Sequence, residues 1–264
     1  VCAERERPAF ADACPTSALR AVTAVAAVRS AGTEFAGRLV VVGSSAAGIA
    51  ACEAARQAAP ACRITVVTAD AQNYSRPLLP YALAGRIERR GLPWRAHDYL
   101  ENNLGVELID GQRATRLSAR EKTIWLDDGR AVSFDALVIA TGARPTMMPI
   151  SGSDLPGVFG LRDLEDLDGL DRLARTSRRA VVIGGGNVGL QVSEALLHRG
   201  LQVTIVARSG HLLSQMVDEQ AGRRVGELFA RHGARLRIGH DVVEIAGDGR
   251  VERVVLDDGE RVEA

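Results

Sequence analysis

Residues 179–189 read Arg-Ala-Val-Val-Ile-Gly-Gly-Gly-Asn-Val-Gly, and Val-Thr-Ile-Val follows at 203–206 after a helix-length segment. An apolar run, a glycine turn, a helix and a second apolar run predict a βαβ unit with two buried parallel strands. The turn has the spacing GxGxxG, which in this context is typical of a dinucleotide site. The three glycines allow a tight turn, close approach of a phosphate, and close packing of helix on strand. We predict contacts to the phosphates, at the helix N-terminus, from Gly184, Gly186, Asn187, Val188 and Gly189.

The same plan occurs earlier in the chain. Residues 38–48 read Arg-Leu-Val-Val-Val-Gly-Ser-Ser-Ala-Ala-Gly, and Ile-Thr-Val-Val follows at 64–67. A serine replaces the middle glycine, but it is small enough to let a phosphate approach. We predict a second nucleotide site at Gly43, Ser45, Ala46, Ala47 and Gly48. In either copy, the alternative is a tight structural turn that binds nothing.

An acidic residue follows the first unit at about the spacing of a ribose-binding carboxylate. This residue is Asp70, and it lies slightly beyond the predicted end of the second strand. A solvated turn aspartate is therefore the alternative interpretation.

A second repeat supports the duplication. Residues 124–132 and 254–262 both predict hairpins that turn at Asp-Asp-Gly. The first hairpin leads into a strand that ends at Ala140-Thr141-Gly142, whereas the chain ends at Ala264 after the second. Since the sequence also begins without methionine, we expect a fragment that ends inside its second nucleotide-binding domain.

Composition excludes several classes of function. The 264 residues carry 33 basic and 33 acidic side chains and only 4% aromatics, so neither a basic footprint nor a base-stacking surface for nucleic acid is present. The apolar stretches are too short or too interrupted to cross a bilayer, and no signal-peptide core is visible. Four cysteines without tight pairing favour a reduced, cytoplasmic setting. Lys122 is the only lysine, which disfavours Schiff-base chemistry.

Residues 73–85, Asn-Tyr-Ser-Arg-Pro-Leu-Leu-Pro-Tyr-Ala-Leu-Ala-Gly, complete a set of motifs that resembles a known family over residues 37–264. The family is that of the pyridine nucleotide-disulfide oxidoreductases, flavoproteins with two dinucleotide-binding domains. The branch it resembles contains NADH:rubredoxin reductases, the flavin end of nitrite reductase and the flavin subunit of phenylglyoxylate dehydrogenase.

This resemblance implies the fold and its division along the chain. We expect an α/β protein with tandem Rossmann-like domains on parallel sheets, FAD in the first and NAD(P)H in the second. The expected boundaries are 1–36 for a ferredoxin-like remnant and linker, 37–150 for the incomplete FAD domain, 151–176 for a linker and helix, and 177–264 for the truncated NAD(P) domain.

The resemblance also implies cofactor contacts outside the glycine turns. In these relatives the segment that corresponds to residues 73–85 passes over the flavin ring. The alternative interpretation of residues 73–85 is a surface loop with a proline turn. The implied contacts on the FAD side are Ser75, Arg76, Pro77, Ala114, Ala140, Thr141, Gly142 and Arg144.

The sequence departs from the family at two positions that matter. None of the cysteines lies in segment 73–85, so no thiol is expected beside the flavin, and Cys52 and Cys62 are predicted to be core residues. Gln191 stands where many relatives have a glutamate near the nicotinamide.

The end of the second strand of the later unit suggests a preference for NADPH. Ala207 stands at the expected acidic position and Arg208 follows it, which removes a repulsive carboxylate and adds a donor for a 2′-phosphate. A chance arginine in an arginine-rich chain is the alternative.

The N-terminal segment resembles the end of a bacterial ferredoxin. In Cys14-Pro15-Thr16 the cysteine is a candidate ligand of a [4Fe–4S] cluster in the full-length protein. Phe10 stands where another cysteine is expected, and two cysteines do not hold a four-iron cluster. A relic or an inert turn is the alternative. The histidines show no metal-ligand spacing.

The resulting prediction is an FAD-dependent NAD(P)H oxidoreductase that passes electrons to a protein or iron–sulfur acceptor. The flavin carries the chemistry, so no catalytic side chain is assigned. The alternatives are an electron-transfer subunit without activity of its own and a nitrite-reductase-like module. We expect no nucleic-acid or membrane partner, and a homodimer is compatible with the resemblance.

Overall fold

The first half of the chain is built on a parallel sheet. A computed structural model describes residues 35–70, 73–96, 98–143 and 148–264. The helices and strands of this half are β1 Arg38–Val42, α1 Ala46–Ala58, β2 Arg63–Val67, α2 Leu79–Leu83, α3 Tyr99–Leu104, β3 Glu107–Ile109, β4 Ala114–Ser118, β5 Thr123–Leu126, β6 Ala131–Ser133 and β7 Ala136–Ile139.

The four parallel strands lie in the order β3-β2-β1-β7. Strand β1 is buried on both faces, as its run of branched apolar residues predicts. Leu39 and Val41 pack toward α1, while Val40 and Val42 pack toward the antiparallel sheet β4-β5-β6. The predicted first βαβ unit is confirmed.

The second half repeats this arrangement. Its helices and strands are α4 Leu164–Ala174, β8 Arg179–Ile183, α5 Asn187–His198, β9 Gln202–Ala207, α6 Glu219–Arg231, β10 Arg235–Ile238, β11 Val242–Ala246, β12 Arg253–Leu256 and β13 Arg261–Glu263. The parallel strands follow the order β10-β9-β8, and β11, β12 and β13 form an antiparallel sheet. The α/β class with repeated nucleotide-binding folds is therefore confirmed.

Both predicted hairpins are present and turn in the same way. Gly129 and Gly259 each have φ of +87°, a backbone conformation that favours glycine. Asp128 and Asp258 each accept a hydrogen bond from the backbone N–H two residues later. Short aspartate side chains that bond the backbone in this way stabilise tight turns.

The two halves share an apolar core. Residues Ala36–Ala264 form one compact unit. Leu79 and Leu83 of α2 lie in the same buried cluster as Leu190 and Leu196 of α5 and Leu167 of α4. The segment expected on the flavin side therefore packs directly against the helix that follows the second glycine turn.

Helix α4 begins later than its leucine spacing suggests. The leucine spacing of residues 161–175 predicts a charged helix over that range, but the helix begins at Leu164. Asp163 is the reason, since its carboxylate accepts a hydrogen bond from the Asp166 N–H and caps the helix. Within the described ranges, no helix combines the length and the apolar character needed to span a membrane.

Candidate functional site

The two glycine turns lie at the carboxyl ends of β1 and β8 and share one geometry. Gly43 and Gly184 have φ of +109° and +115°. Gly43 donates its N–H to the carbonyl of Val67, the last residue of β2, at 2.8 Å. Gly184 donates its N–H to the carbonyl of Val206, the last residue but one of β9, also at 2.8 Å. The carboxyl edge of a parallel sheet is where nucleotides bind in such folds.

The third glycine of each turn lets its helix approach the strand. A Cβ atom built on Gly48 would lie 1.8 Å from the Gly43 carbonyl oxygen. On Gly189 the corresponding distance to the Gly184 oxygen would be 2.1 Å. No side chain fits at either position without a backbone shift, so both glycines are required by packing.

The helix N-termini after these turns fit a phosphate. The N-cap residues Ser45 of α1 and Gly186 of α5 make no side-chain capping bond among the described residues. By contrast, Asp163 and Asp218 cap α4 and α6 through their carboxylates. Among the described helices of ten or more residues, α1 and α5 are therefore the two whose first N–H groups have no side-chain acceptor, and the helix dipole favours an anion there.

Exposure supports the same assignment. Ala46 and Ala47 in the first turn of α1 are exposed, as are Gly186, Asn187 and Val188 at the start of α5. A Cβ on Gly186 would meet nothing within 4 Å, which leaves open space in front of the backbone. Pyrophosphate groups of FAD and NAD(P)H therefore fit both turns in charge and in room.

The end of β7 lies directly against the first glycine turn. Ala140 donates its N–H to the Val42 carbonyl at 2.8 Å, and a Cβ on Gly43 would lie 2.3 Å from the Ala140 oxygen. Thr141 and Gly142 continue from this point, and Gly142 has φ of +67°. The structure thus brings the Ala-Thr-Gly motif to the first site, while Arg144 lies outside the described residues.

Ala114 also lies close to this site. As the first residue of β4, it packs in the cluster that contains Val42 and Val67, the last residues of β1 and β2. Its contact with a cofactor stays a prediction, but its position at the strand ends agrees with it.

A hydrogen-bonded network connects the first turn to segment 73–85. Ser44 donates its hydroxyl to Thr68 at 2.9 Å, and the Thr68 oxygen accepts from the Asp70 N–H at 3.2 Å. The Asp70 carboxylate forms an ion pair with Arg76 at 2.7 Å. The sequence analysis did not identify Ser44 and Thr68, although Thr68 immediately follows β2 and Ser44 lies two residues after the end of β1.

Arg76 joins three parts of the chain. Besides Asp70, its guanidinium donates to the Arg162 carbonyl at 2.7 Å and lies 5.0 Å above the Tyr74 ring. Burial is the main cause that raises the pKa of Tyr74, so its hydroxyl stays protonated at neutral pH. Asp70 is therefore a paired carboxylate whose side chain is still 40% exposed, and Arg76 fixes its orientation. Its contact with a ribose stays a prediction.

The other two flavin-side candidates lie beside Arg76. Ser75 donates its N–H to the Leu92 carbonyl at 2.9 Å and precedes a 3-10 turn over Arg76–Leu78. Pro77 lies within that turn and is exposed.

The described cysteines are core residues, as predicted. Cys52 is fully buried and Cys62 is 3% exposed, and both are free thiols. Burial raises the pKa of the Cys52 thiol to about 11, so it is not a thiolate at neutral pH. Cys14, the candidate cluster ligand, lies outside the described residues.

The side chains predicted to favour NADPH at the second site, which follow the end of β9, point in different directions. Ala207 is buried, and its Cβ faces the glycine turn, 2.9 Å from where a Cβ of Gly185 would be. The Arg208 side chain is 84% exposed and lies 3.8 Å from Asp241. Ser209 donates its hydroxyl to the His211 carbonyl at 3.1 Å, so that hydrogen is already used. Gln191 lies half-buried on α5, one turn after Asn187.

One cluster was not visible in the sequence. The side chains of His240, Asp257 and Asp258 bring their ligand atoms within 4.8 Å of one another at the tip of the second hairpin. Both aspartates are exposed, and we assign this cluster no function.

Comparison with known proteins identifies the family. The family model described as pyridine nucleotide-disulphide oxidoreductase matches residues 37–264, and the chain belongs to this family. It is 31% identical to a nitrite reductase [NAD(P)H] of Bacillus subtilis over 86% of the chain and 28% of that protein. It is 33% identical to the epsilon subunit of the NADH-dependent phenylglyoxylate dehydrogenase of Aromatoleum evansii, over 86% of the chain and 54% of the subunit.

Solved structures agree with this result. The reductase in the covalent putidaredoxin reductase–putidaredoxin complex superposes with a TM-score of 0.81 at 27% identity, over 86% of this chain and 56% of that one. An engineered water-forming NADPH oxidase bound to NADPH shares the fold, with a TM-score of 0.81 at 22% identity, over 86% and 52%. The chain thus spans about half the length of most of these proteins, and about a quarter of the nitrite reductase.

Proposed function

We propose that the protein containing this chain binds FAD at the first glycine turn and NAD(P)H at the second, and that it is a flavin-dependent NAD(P)H oxidoreductase. The observation that carries the proposal is the pair of uncapped, exposed helix N-termini on one compact unit, joined by segment 73–85. When bound, the flavin supplies a hydride acceptor that can release electrons singly. The chain supplies phosphate binding, the oriented carboxylate of Asp70 and an apolar interior.

The test is flavin content and reduction of a dye by the intact protein. We expect the purified protein to carry FAD and to reduce an artificial acceptor with NADPH or NADH. A protein that neither retains added FAD nor reduces the dye would contradict the proposal. Binding and activity are measured separately, so a loss of one is not mistaken for a loss of the other.

We propose that the acceptor is a protein or an iron–sulfur centre. The names of the nitrite reductase relative and of the putidaredoxin complex support electron transfer to such centres. An electron-transfer subunit that acts only within a larger complex is the second candidate, supported by the phenylglyoxylate dehydrogenase relative. Dye reduction by the isolated protein separates the two, because only the first candidate oxidises NAD(P)H without partner subunits.

A preference for NADPH is the finer proposal. Ala207 leaves no carboxylate to repel a 2′-phosphate, and the exposed guanidinium of Arg208 is available as a donor. The engineered NADPH oxidase carries Asp-to-Ala, Ala-to-Arg and Met-to-Ser replacements at three consecutive positions. Ala207, Arg208 and Ser209 form the same tripeptide here.

Arg208→Ala tests this preference. We expect kcat/KM for NADPH to fall about ten-fold relative to NADH, because a charged hydrogen bond to phosphate is lost. Arg224→Ala, which removes an exposed arginine from α6, is the control for net charge. An unchanged NADPH/NADH ratio in Arg208→Ala would show that Arg208 is only a surface residue.

The N-terminal iron–sulfur cluster stays a prediction. Iron and acid-labile sulfide in anaerobically prepared full-length protein test it, and Cys14→Ala should lower both. Absence of both in the parent protein would indicate a relic. We also propose a reducing, cytoplasmic setting, which the two buried free thiols support.

A further inference from the structure

Helix α5 begins at the second glycine turn and is capped at its end by Arg199, an arginine that donates several hydrogen bonds to other helices. Arg199 is the C-cap residue of α5, and its side chain is only 17% exposed. The helix has 12 residues, so Arg199 lies about 18 Å from the glycine turn along the axis. Arg199 is therefore too distant to touch a nucleotide bound at Gly186.

The guanidinium of Arg199 connects α5 to two other helices. It donates to the Leu83 carbonyl at the end of α2 at 3.1 Å. It also donates to Asp171 of α4, at 2.5 Å to the carboxylate and 3.4 Å to the backbone oxygen. Arginine suits this position because its planar fork donates in several fixed directions at once.

Asp171 is held ionised for this contact. Partial burial opposes its ionisation, yet its pKa is lowered overall because Arg175 and Arg199 donate hydrogen bonds to the carboxylate. The ion pair with Arg199 therefore persists at neutral pH. Because the Arg199 side chain is only 17% exposed, against 36% for Asp171, salt weakens this pair less than it weakens pairs between two well-exposed side chains.

Helix α2 is the continuation of the flavin-side segment. The 3-10 turn over Arg76–Leu78 leads directly into it, and its buried Leu79 and Leu83 pack on α5. Arg86, just after α2, also pairs with Glu194 of α5 at 2.9 Å, but both side chains are about half exposed. Arg199 is thus the most buried polar link between the flavin-side segment and the nicotinamide-side helix.

We propose that Arg199 is a positioning residue for hydride transfer, which it serves by fixing α5 against α2 through Leu83 and Asp171. This inference rests on the proposed function. Hydride transfer needs reacting atoms about 3–3.5 Å apart, and a displacement of about 1 Å can cost on the order of 100-fold in rate. A small shift of α5 against α2 would change that distance without removing any phosphate contact.

The experiment measures reduction of the bound flavin by NADPH under anaerobic stopped-flow conditions, in the intact flavin-loaded protein. For Arg199→Ala we expect the limiting rate of flavin reduction to fall about ten-fold or more. The NADPH concentration for half-saturation should stay within about three-fold, because α5 keeps its phosphate-binding turn. The primary isotope effect with 4-deuterated NADPH should be fully expressed, since hydride transfer becomes the slow step.

Arg175→Ala is the matched control. It removes an arginine that also hydrogen-bonds Asp171, at 2.9 and 3.1 Å, but that is 71% exposed and lies at the end of α4 itself. We expect its limiting rate to match the parent protein. A purely structural role for Arg199 would lower the urea midpoint while leaving the limiting rate unchanged, and that result would overturn the proposal.

Arg199→Lys keeps the inference testable if Arg199→Ala loses its flavin. An ammonium group can reach Leu83 or Asp171 but cannot replace the fork that spans both, so we expect an intermediate rate. A rate equal to that of the parent protein would contradict the proposal. If the parent protein itself is reduced by neither NADPH nor NADH, the proposed function has failed rather than this inference.

Discussion

The two glycine turns have the same backbone but differ in what surrounds them. At the first turn, a Cβ atom on Gly43 would overlap the Ala140 carbonyl oxygen, because the two would be only 2.3 Å apart. At the second turn, the Cβ position of Gly184 has nothing within 4 Å among the described residues. Gly43 is therefore required both by packing and by its backbone conformation, and Gly184 is required by its backbone conformation. The strand that packs on Gly43, β7, has no counterpart beside β8 among the described residues.

At the middle glycine position of the motif, only the first copy carries a side chain. Ser45 occupies it in the first copy, and Gly186 occupies it in the second, although the space around Gly186 would accept a side chain. Protein packing therefore does not require a glycine there. A ligand that approaches the backbone closely would require one, which agrees with the proposed phosphate contact at Gly186.

The third glycine should show the largest effect and no difference between copies. We expect Gly48→Ala and Gly189→Ala each to lower the free energy of unfolding by about 3 kcal/mol, because the new methyl group would overlap a backbone oxygen. Urea denaturation of the intact protein measures this. Gly210→Ala, at an exposed glycine with open space, is the control. A loss below about 1 kcal/mol at either position would contradict the packing requirement there, and unequal losses would break the proposed equivalence of the turns.

The first glycine of the first copy should separate overpacking from backbone strain. Gly43 and Gly129 both have positive φ, but only a Cβ on Gly43 would meet the Ala140 oxygen, whereas a Cβ on Gly129 would meet nothing within 4 Å. We expect Gly43→Ala to lower the free energy of unfolding by about 2 kcal/mol more than Gly129→Ala, from overpacking alone. The same urea titration measures the difference. Equal losses would mean that the end of β7 moves away at little cost.

The middle position should separate binding from folding. We expect Gly186→Ser to weaken NADPH binding about ten-fold, or about 1.4 kcal/mol, with stability changed by only a few tenths of a kcal/mol. FAD binding should be unaffected, since the substitution lies in the second copy. Titration of the flavin-loaded protein with NADPH measures the affinity, and Ser45→Gly is the reciprocal control. Unchanged affinity for NADPH would show that the cofactor does not approach Gly186 closely.

The smallest effect concerns equivalent buried positions on α1 and α5. Cys52 and Ser193 both lie four residues after the third glycine and are both fully buried. Ser193 donates its hydroxyl to the Gly189 carbonyl at 2.8 Å. We expect Cys52→Ser to cost less than about 1 kcal/mol at neutral pH, because the new hydroxyl can donate to Gly48 in the same way.

The same substitution should remove a dependence of stability on alkaline pH. Burial raises the pKa of Cys52 from 9.0 to about 11 in the folded state. The Cys52 thiol therefore holds its proton more tightly in the folded protein than in the unfolded one. As a result, the free energy of unfolding falls as pH rises from 9.0 towards 11, and it is lower by about 1 kcal/mol in the middle of this range. Cys52→Ser should abolish this decrease in urea titrations at different pH. A decrease of the same size in the variant would assign it to another group.

The sequence sufficed to predict the repeated βαβ units, both hairpins and the burial of Cys52 and Cys62. These features depend on local patterns: buried strands are continuous apolar runs, and tight turns need glycine or aspartate. Helix α4 shows the limit, because its leucine spacing predicted a start at residue 161 and the Asp163 cap moved it to Leu164. The boundaries of the FAD and NAD(P) domains and the assigned cofactor contacts remain predictions.

Only the tertiary structure showed which distant residues meet. It joined Asp70 to Arg76 and placed Ala140 against Gly43. It also brought Arg199 to Leu83, which is 116 residues away along the chain. The sequence by itself determined that two glycine turns of the same geometry exist, because each turn is specified by residues that are neighbours in the chain. How the turns are held relative to each other was decided by packing, because side-chain contacts across helices leave no fixed spacing in the sequence.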